Sequence, residues 1–226
     1  MVTAVDGDRV ALDRTVFYPT GGGQPHDTGT LLWASGEGEA PQRAEVSAVG
    51  KQGAVAWHTL DGPVSSAGTA VHGELDWDRR HALMRTHSAL HILCGVIWQR
   101  WGTAVTGSQM SPLTARMDFE FDPLPEGFGA TVEELVNAEI VADRPILTEF
   151  LPRDAAVADA DLIRTKVNMI PEAVKEIRVI DIVGLDKQAD GGTHVRSTGE
   201  VGRVRMVKTE SKGKAFKRIR IEVVDG

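Results

Sequence analysis

Two histidines four residues apart, His87 and His91, stand in the segment Arg85-Thr-His-Ser-Ala-Leu-His-Ile-Leu-Cys94. On a helix this spacing puts both imidazoles on one face, one turn apart, so two rings can address one ion from the same side. Far along the chain, Asp190 and His194 repeat the spacing within Gln188-Ala-Asp-Gly-Gly-Thr-His194. Gly191-Gly192 marks this second pair as belonging to a loop or turn. A helical pair facing an acid/histidine pair on a loop is one way to build a four-ligand tetrahedral zinc site from distant chain. An HxxxH pair alone is weak evidence, because most such pairs are ordinary packed or surface histidines. The second pair is what strengthens it. Cys94 follows His87 at i+7 and falls on the same helical face. Seven residues span ~10 Å along a helix axis, too far for His87 and Cys94 to share an ion easily, so Cys94 reads as a buried core cysteine. His26 could line a site beside a glycine-rich segment, whereas His58, His72 and His81 read as surface or packing residues.

These segments carry a resemblance. Arg85-Thr-His-Ser-Ala-Leu-His91 and Gly191-Gly-Thr-His194 resemble motifs of the AlaX family, free-standing relatives of the editing domain of alanyl-tRNA synthetase. Tyr18-Pro-Thr-Gly-Gly-Gly-Gln-Pro25 resembles the glycine-rich motif of the longer AlaX proteins. The three motifs occur in the family's order, and the resemblance runs from about Asp13 to Ile221. The family's metal motif is HxxxH followed by CxxxH, and this chain departs from it: Asp190 stands where the family usually has cysteine. The resemblance implies hydrolysis of the ester joining a wrong amino acid, serine or glycine, to tRNA(Ala). It implies a Zn²⁺ cofactor on His87, His91, Asp190 and His194, and the acceptor end of tRNA(Ala) as partner. Gln24, Ser108 and Asp190 become the catalytic candidates. Thr20, Gly22, Gly23, Thr106, Gly192, Lys212, Lys214 and Lys217 become the candidate substrate contacts.

Carboxylate oxygen binds zinc at ~2.0–2.2 Å and imidazole nitrogen at ~2.0–2.1 Å, so aspartate can replace the cysteine without abolishing the site. Asp190 either ligates directly or steps back to hold a water, leaving three histidines and an open position. Ester hydrolysis then needs an oriented water, a place for the developing oxyanion and a grip on the amino acid. Backbone N–H groups around Gly191-Gly192 could supply an anion nest. Selecting serine over alanine requires a hydrogen-bond partner for the hydroxyl, which alanine would leave unsatisfied. Thr106, Ser108 and Gln109 are candidates, and the family's serine-sensing threonine aligns on Ser108. Thr20 and Gln24 are expected, from the resemblance, to approach the same pocket.

Residue content limits the alternatives. The chain has 226 residues, 42% hydrophobic, enough for one large or two small cores. One cysteine rules out an internal disulfide, which fits a reducing compartment. No secretory signal and no apolar run of ~20 residues is visible, so a cytoplasmic protein without a membrane span is expected. The net charge of −7 argues against general nucleic-acid binding. Yet residues 203–220 carry Arg203, Arg205, Lys208, Lys212, Lys214, Lys217, Arg218 and Arg220 against Glu210. That stripe is either a local phosphate-binding face or a solvated hairpin protected by lysine.

The elements that must position these groups form an α+β fold in two modules. Residues 1–75 read as a small N-terminal β-barrel-like module or curled sheet, with strands at Val10–Leu12, Thr15–Tyr18, Leu31–Trp33, Ala54–Leu60 and Ala70–Leu75. Residues 76–226 read as an α+β editing domain with an antiparallel sheet and a metal-bearing helix. That helix spans Asp78–Trp101, capped by Asp76 or Asp78 and ended by Gly102. A half-buried strand carries Met117, Phe119 and Phe121. Thr131-Val-Glu-Glu134 reads as a capping box opening a second helix. A strand at Ile146–Leu151, a helix at Asp154–Ile163, a central strand at Ile177–Val183 and a hairpin of Val201–Lys208 with Phe216–Val224 complete the plan. No internal repeat and no low-complexity linker is visible, so close packing between the modules is expected. The chain is too short for an aminoacylation core as well.

Three rival functions carry distinct signatures. A metallopeptidase places glutamate beside the first histidine, where this chain has Ser88. The editing domain of threonyl-tRNA synthetase shares the histidine motifs, but Gly21–Gln24 points to the alanine branch. A non-catalytic tRNA-binding remnant would explain the exchange of cysteine for aspartate by decay.

Overall fold

The computed structural model describes residues 1–34, 40–158, 162, 174–211 and 215–225. The chain divides into two compact units, Met1–His81 and Ala82–Gly226.

In the first unit, β1 (Val2–Asp6), β2 (Arg9–Leu12), β3 (Gly29–Trp33), β4 (Gln42–Gln52), β5 (Val55–Asp61) and β6 (His72–Leu75) form one antiparallel sheet in the order β1-β2-β5-β4-β3-β6. Its core gathers Val2, Val10, Phe17, Leu31, Val46, Val49 and Leu60. The module is all-β as expected, but no closed barrel is found among the described residues, so the barrel-like form is not confirmed. β1 and β6 form no ladder. Only Val2 closes toward that edge, through two 2.9 Å backbone bonds with Gly68 and Thr69. The chain turns there instead of running extended, so a single rung forms. Thr15–Tyr18 is not a strand either. The Thr15 hydroxyl takes the Phe17 N–H at 3.1 Å, and Asp27 takes the Tyr18 N–H at 2.6 Å. Local side-chain acceptors have satisfied the donors that a ladder would have used.

The second unit contains most of α1 (Trp77–Trp101), followed by β7 (Val105–Ser111), β8 (Thr114–Glu120), α2 (Phe128–Val141), β9 (Ile146–Pro152), α3 (Arg153–Ala158), β10 (Glu176–Ile182), β11 (Asp186–Ala189), a 3₁₀ turn at Thr198–Val201, β12 (Arg203–Ser211) and β13 (Phe216–Val224). Two antiparallel sheets result, β12-β13-β8-β7 and β11-β10-β9. Asp76 accepts the Arg79 N–H and caps α1, while the Gly102 N–H closes its last turn onto Trp98. Every residue of α1 from Thr86 to Ile97 is buried. A helix enclosed on all sides must find partners for its polar groups. Thr86 donates to Ala82 O and accepts the Leu113 N–H, pinning the β7–β8 turn. Arg85 reaches the carbonyls of Val201 and Val224.

Other boundaries differ from expectation for local reasons. α2 begins at Phe128 after Gly127, with no side-chain cap. The Thr131 N–H already bonds Gly127 O, so the expected capping box lies inside the first turn. Burial of Phe128 against Trp101 and Phe121 draws the start forward. The hairpin strand begins at Arg203, because Thr198–Val201 coil into the 3₁₀ turn. α3 covers the first part of the expected Asp154–Ile163 helix, and residues 159–161 and 163 lie outside the described ones. The hairpin tip, with Lys212 and Lys214, also lies outside them.

His58 is fully buried, which yields a test. Its Nδ1 faces Val10 O at 3.2 Å and its Nε2 faces the Thr15 hydroxyl at 2.7 Å. A carbonyl only accepts, so Nδ1 carries the proton and Nε2 receives one from Thr15. Burial lowers the His58 pKa below the ordinary 6.5. The unfolded chain therefore takes up a proton first, and stability that is full above pH ~6.5 is lost as pH falls toward the lowered folded value. In His58→Gln, the urea midpoint of the metal-free protein should fall less between neutral and mildly acid pH than in the native chain. Equal slopes would remove His58 as a source.

Candidate metal centre

Helix α1 presents His87, Ser88, His91 and Cys94, and the loop after β11 presents Asp190 and His194. The rings of His87, His91 and His194 stand 4.4–5.3 Å apart by centroid. One donor atom from each of His87, His91, Asp190 and His194 falls within 4.8 Å of every other, an arrangement that can hold a metal ion. Asp190 Oδ1 lies 3.5 Å from His87 Nε2, and Oδ2 lies 3.1 Å from His194 Nε2. Two outward nitrogens are occupied: His91 Nδ1 meets Asp186 Oδ2 at 3.0 Å, and His194 Nδ1 meets Ser88 Oγ at 3.2 Å.

Burial favours neutral rings. It pushes His87 well below the ordinary histidine value and lowers His194 to about 4, against the pull of Asp190. Burial opposes charge on Asp190, but His87, His194 and His91 outweigh it and hold the carboxyl well below its usual range. At neutral pH His87 and His194 therefore offer lone-pair nitrogens beside a carboxylate, the protonation state a metal requires.

Arg178 holds the loop, and sequence reading missed it. Its guanidinium donates to the carbonyls of Asp190 and Gly192 at 3.1 and 2.7 Å. The available signal was an arginine inside the apolar run Ile177–Ile182. Gly192 donates its own N–H to Asp190 Oδ2 at 2.6 Å. That donor, expected in an anion nest, is engaged by the carboxylate. Cys94 is buried, accepts from Gln188 at 3.2 Å and lies outside the four-residue cluster.

The remaining candidates sit as follows. Gly22 and Gly23, at φ +58 and +84, form the exposed tip of a tight turn bridged by Gly21 and Gln24. Two successive positive φ values explain the glycines. The Tyr18 hydroxyl donates to Gly21 O, Thr20 Oγ1 pairs with His26 Nδ1, and Gln24 is buried. On β7, Thr106 is half-buried at a bulge and Ser108 is exposed. The Gln109 side-chain Oε1 accepts from Arg116.

The basic stripe is largely matched by acids. Lys208 and Arg220 share Glu210, Arg218 pairs with Asp118, and Arg205 and Arg203 lie within 4 Å of Glu222 and Glu133. Lys217 donates to the Ser211 hydroxyl. Counting one segment overstated the charge, because most partners come from other strands and from α2.

Comparison with known proteins decides the family. Residues 177–220 match the threonyl and alanyl tRNA synthetase second additional domain, and residues 1–79 match class II (A) tRNA synthetases. The alanyl-tRNA editing protein AlaX-M of Methanosarcina barkeri is 35% identical over 224 residues, covering 97% of this chain and 90% of the relative. The chain belongs to the AlaX-M family. AlaX-M of Saccharolobus solfataricus is 36% identical and covered to 90%. The alanine–tRNA ligase of Pyrobaculum neutrophilum is 37% identical, but only 23% of its length is covered. The likeness to the ligase therefore concerns a portion of that protein, whereas AlaX-M is matched nearly end to end.

Each α1 histidine brings one of four converging donors. His87→Ala and His91→Ala should each weaken Co²⁺ binding by more than the ~10–100-fold that loss of an outer partner costs. Titration of the cobalt absorption bands measures it. Native-like affinity in the double variant would show that these rings hold no metal.

Proposed function

We propose that this protein is a trans-editing hydrolase that deacylates mischarged tRNA(Ala), seryl-tRNA(Ala) foremost and glycyl-tRNA(Ala) with it. The observation that carries the reading is the convergence of His87, His91, Asp190 and His194 in a chain that matches AlaX-M nearly end to end. The reaction adds water across the ester carbonyl and returns the free amino acid and the terminal ribose hydroxyl.

The proposed ion is zinc. Donors at ~2.0–2.1 Å from a tetrahedral ion lie ~3.3 Å from one another. Asp190 Oδ1 stands 3.5 Å from His87 Nε2, close to that value. When bound, the ion supplies a fixed positive charge that polarises an oxygen of water or substrate. Three neutral rings and one carboxylate leave it a net single positive charge, suited to a developing oxyanion. Arg178 keeps Asp190 in place through the loop carbonyls. Thr106 and Ser108 are the proposed partners of the seryl hydroxyl. Thr20, Gly22, Gly23 and Gln24 are proposed to contact the substrate, with Gln24 and Ser108 serving catalysis beside Asp190. The acceptor end of tRNA(Ala) is the proposed partner and the cytoplasm the proposed location; among the described residues no helix is long and apolar enough to cross a membrane.

Two tests follow. The purified protein should hold about one Zn²⁺ per chain and hydrolyse Ser-tRNA(Ala) far faster than Ala-tRNA(Ala), with the rate lost to chelator and restored by Zn²⁺. Asp190→Cys should keep zinc, whereas Asp190→Ala should lose zinc and rate together if the carboxylate ligates. Retained zinc with a lowered rate would assign Asp190 to holding water. If Asp190→Ala changes neither, Asp190 is only a loop residue.

The second test concerns the hairpin. Lys212, Lys214 and Lys217 are the hairpin lysines proposed to meet the tRNA backbone. Reversing all three to glutamate should weaken tRNA binding and flatten its salt dependence, because fewer counterions are released. An unchanged salt slope places the tRNA elsewhere.

A further inference from the structure

We propose that Asp186 is a positioning carboxylate of the metal centre, holding His91 in the one tautomer and orientation that leaves Nε2 free for the ion. The proposal rests on the reading of His87, His91, Asp190 and His194 as metal ligands. Asp186 stands apart from that set of four and occurs in none of the three sequence motifs.

The geometry is specific. The Asp186 side chain has no exposed surface, and its Oδ2 lies 3.0 Å from His91 Nδ1. A neutral imidazole carries one N–H, and an ionised carboxylate only accepts. The His91 proton therefore resides on Nδ1, and the Nε2 lone pair is the one left to donate. A carboxylate behind a ligating histidine also raises the ring's basicity and with it the metal affinity. Gln188 keeps Asp186 from turning away. Its amide nitrogen lies 3.0 and 2.8 Å from the two carboxylate oxygens and 3.2 Å from Cys94 Sγ. The chain of contacts begins and ends on α1, from Cys94 through Gln188 and Asp186 of β11 to His91. A buried cysteine one turn beyond His91 thereby acquires a use that needs no metal contact.

The competing account makes Asp186 a packing group that joins α1 to β11 and has no influence on the ion. Zinc affinity separates the two without any activity assay. Metal-free protein is titrated with Zn²⁺ against a chromophoric chelator, for the native chain, Asp186→Asn, Asp186→Ala and the reference His91→Ala. Circular dichroism and melting of the metal-free forms check the fold. Asp186→Ala should lower zinc affinity ~10–100-fold, less than His91→Ala. Asp186→Asn should recover part of the loss, because its carbonyl still accepts from Nδ1 without the charge. The Co²⁺ absorption bands should shift in the same rank order, which a purely structural defect would not produce. Native affinity in Asp186→Ala overturns the proposal. Should that variant fail to fold, native affinity in the isosteric Asp186→Asn overturns it. If the native chain binds zinc no better than His91→Ala, the metal reading itself falls and this role with it. If the native chain outbinds His91→Ala while the Asp186 variants match the native chain, only the role of Asp186 falls.

Discussion

The second unit depends on how closely α1 lies against β11. A methyl group at Gly95 would stand 2.9 Å from Leu185 Cγ, 3.0 Å from Asp186 Cβ and 3.1 Å from Leu185 O. No other residue permits that approach without moving the strand. The contact sets the reach of everything beside it, including Asp186 to His91 and Gln188 to Cys94. A surface helix is usually amphipathic, with its polar face toward water. Here α1 is enclosed through its central turns, so its histidines are oriented by packing on every side, with a carboxylate and a serine behind two of the three rings.

Enclosure also sets the electrostatic problem. An ionised carboxylate among three buried rings is costly unless positive charge compensates it. Two sources are at hand. The rings can take a proton, which their burial resists, or a cation can enter between them. Arg178 does not discharge the group directly. Its guanidinium lies 3.9 Å from Asp190 Oδ2 and spends its stronger bonds on the loop carbonyls. The arrangement is poised for an ion in the same physical sense in which a charged pocket is poised for a counter-charge.

Much of this was legible in the chain, and the illegible parts have identifiable causes. The α1 span, with Asp76 or Asp78 as its cap, follows from spacing and turn chemistry, which are local; the meeting of His87 and His91 with Asp190 and His194 was suggested by spacing and strengthened by the family resemblance. β4 was not visible because a bulge between Val46 and Ala48 shifts the phase of its buried residues, Ala44 and Val46 before it and Val49 after. β11 was not visible because Asp-Lys-Gln-Ala has little intrinsic preference for a strand; pairing with β10 makes it one. Asp186 escaped for the same reason, since its importance comes from the helix that packs upon it. The basic stripe misled in the opposite direction: Asp118, Glu133 and Glu222 lie outside the counted segment and were invisible to a count along the chain.

The exchange of cysteine for aspartate looks at first like the weak point of the centre, because a carboxylate can swing between one contact and two. The loop removes much of that freedom. Oδ2 accepts the Gly192 N–H at 2.6 Å, closing a turn two residues wide, while the Asp190 N–H bonds back to Arg178 O on β10. With one oxygen held by the backbone and the main chain tied to a central strand, rotation about the side chain would break the bond to Gly192. Oδ1 then keeps its place facing His87. A thiolate presents a single atom and needs no such restraint. An aspartate divides the task between its oxygens, one anchored and one offered, and Gly191-Gly192 provides the tight backbone on which that division depends.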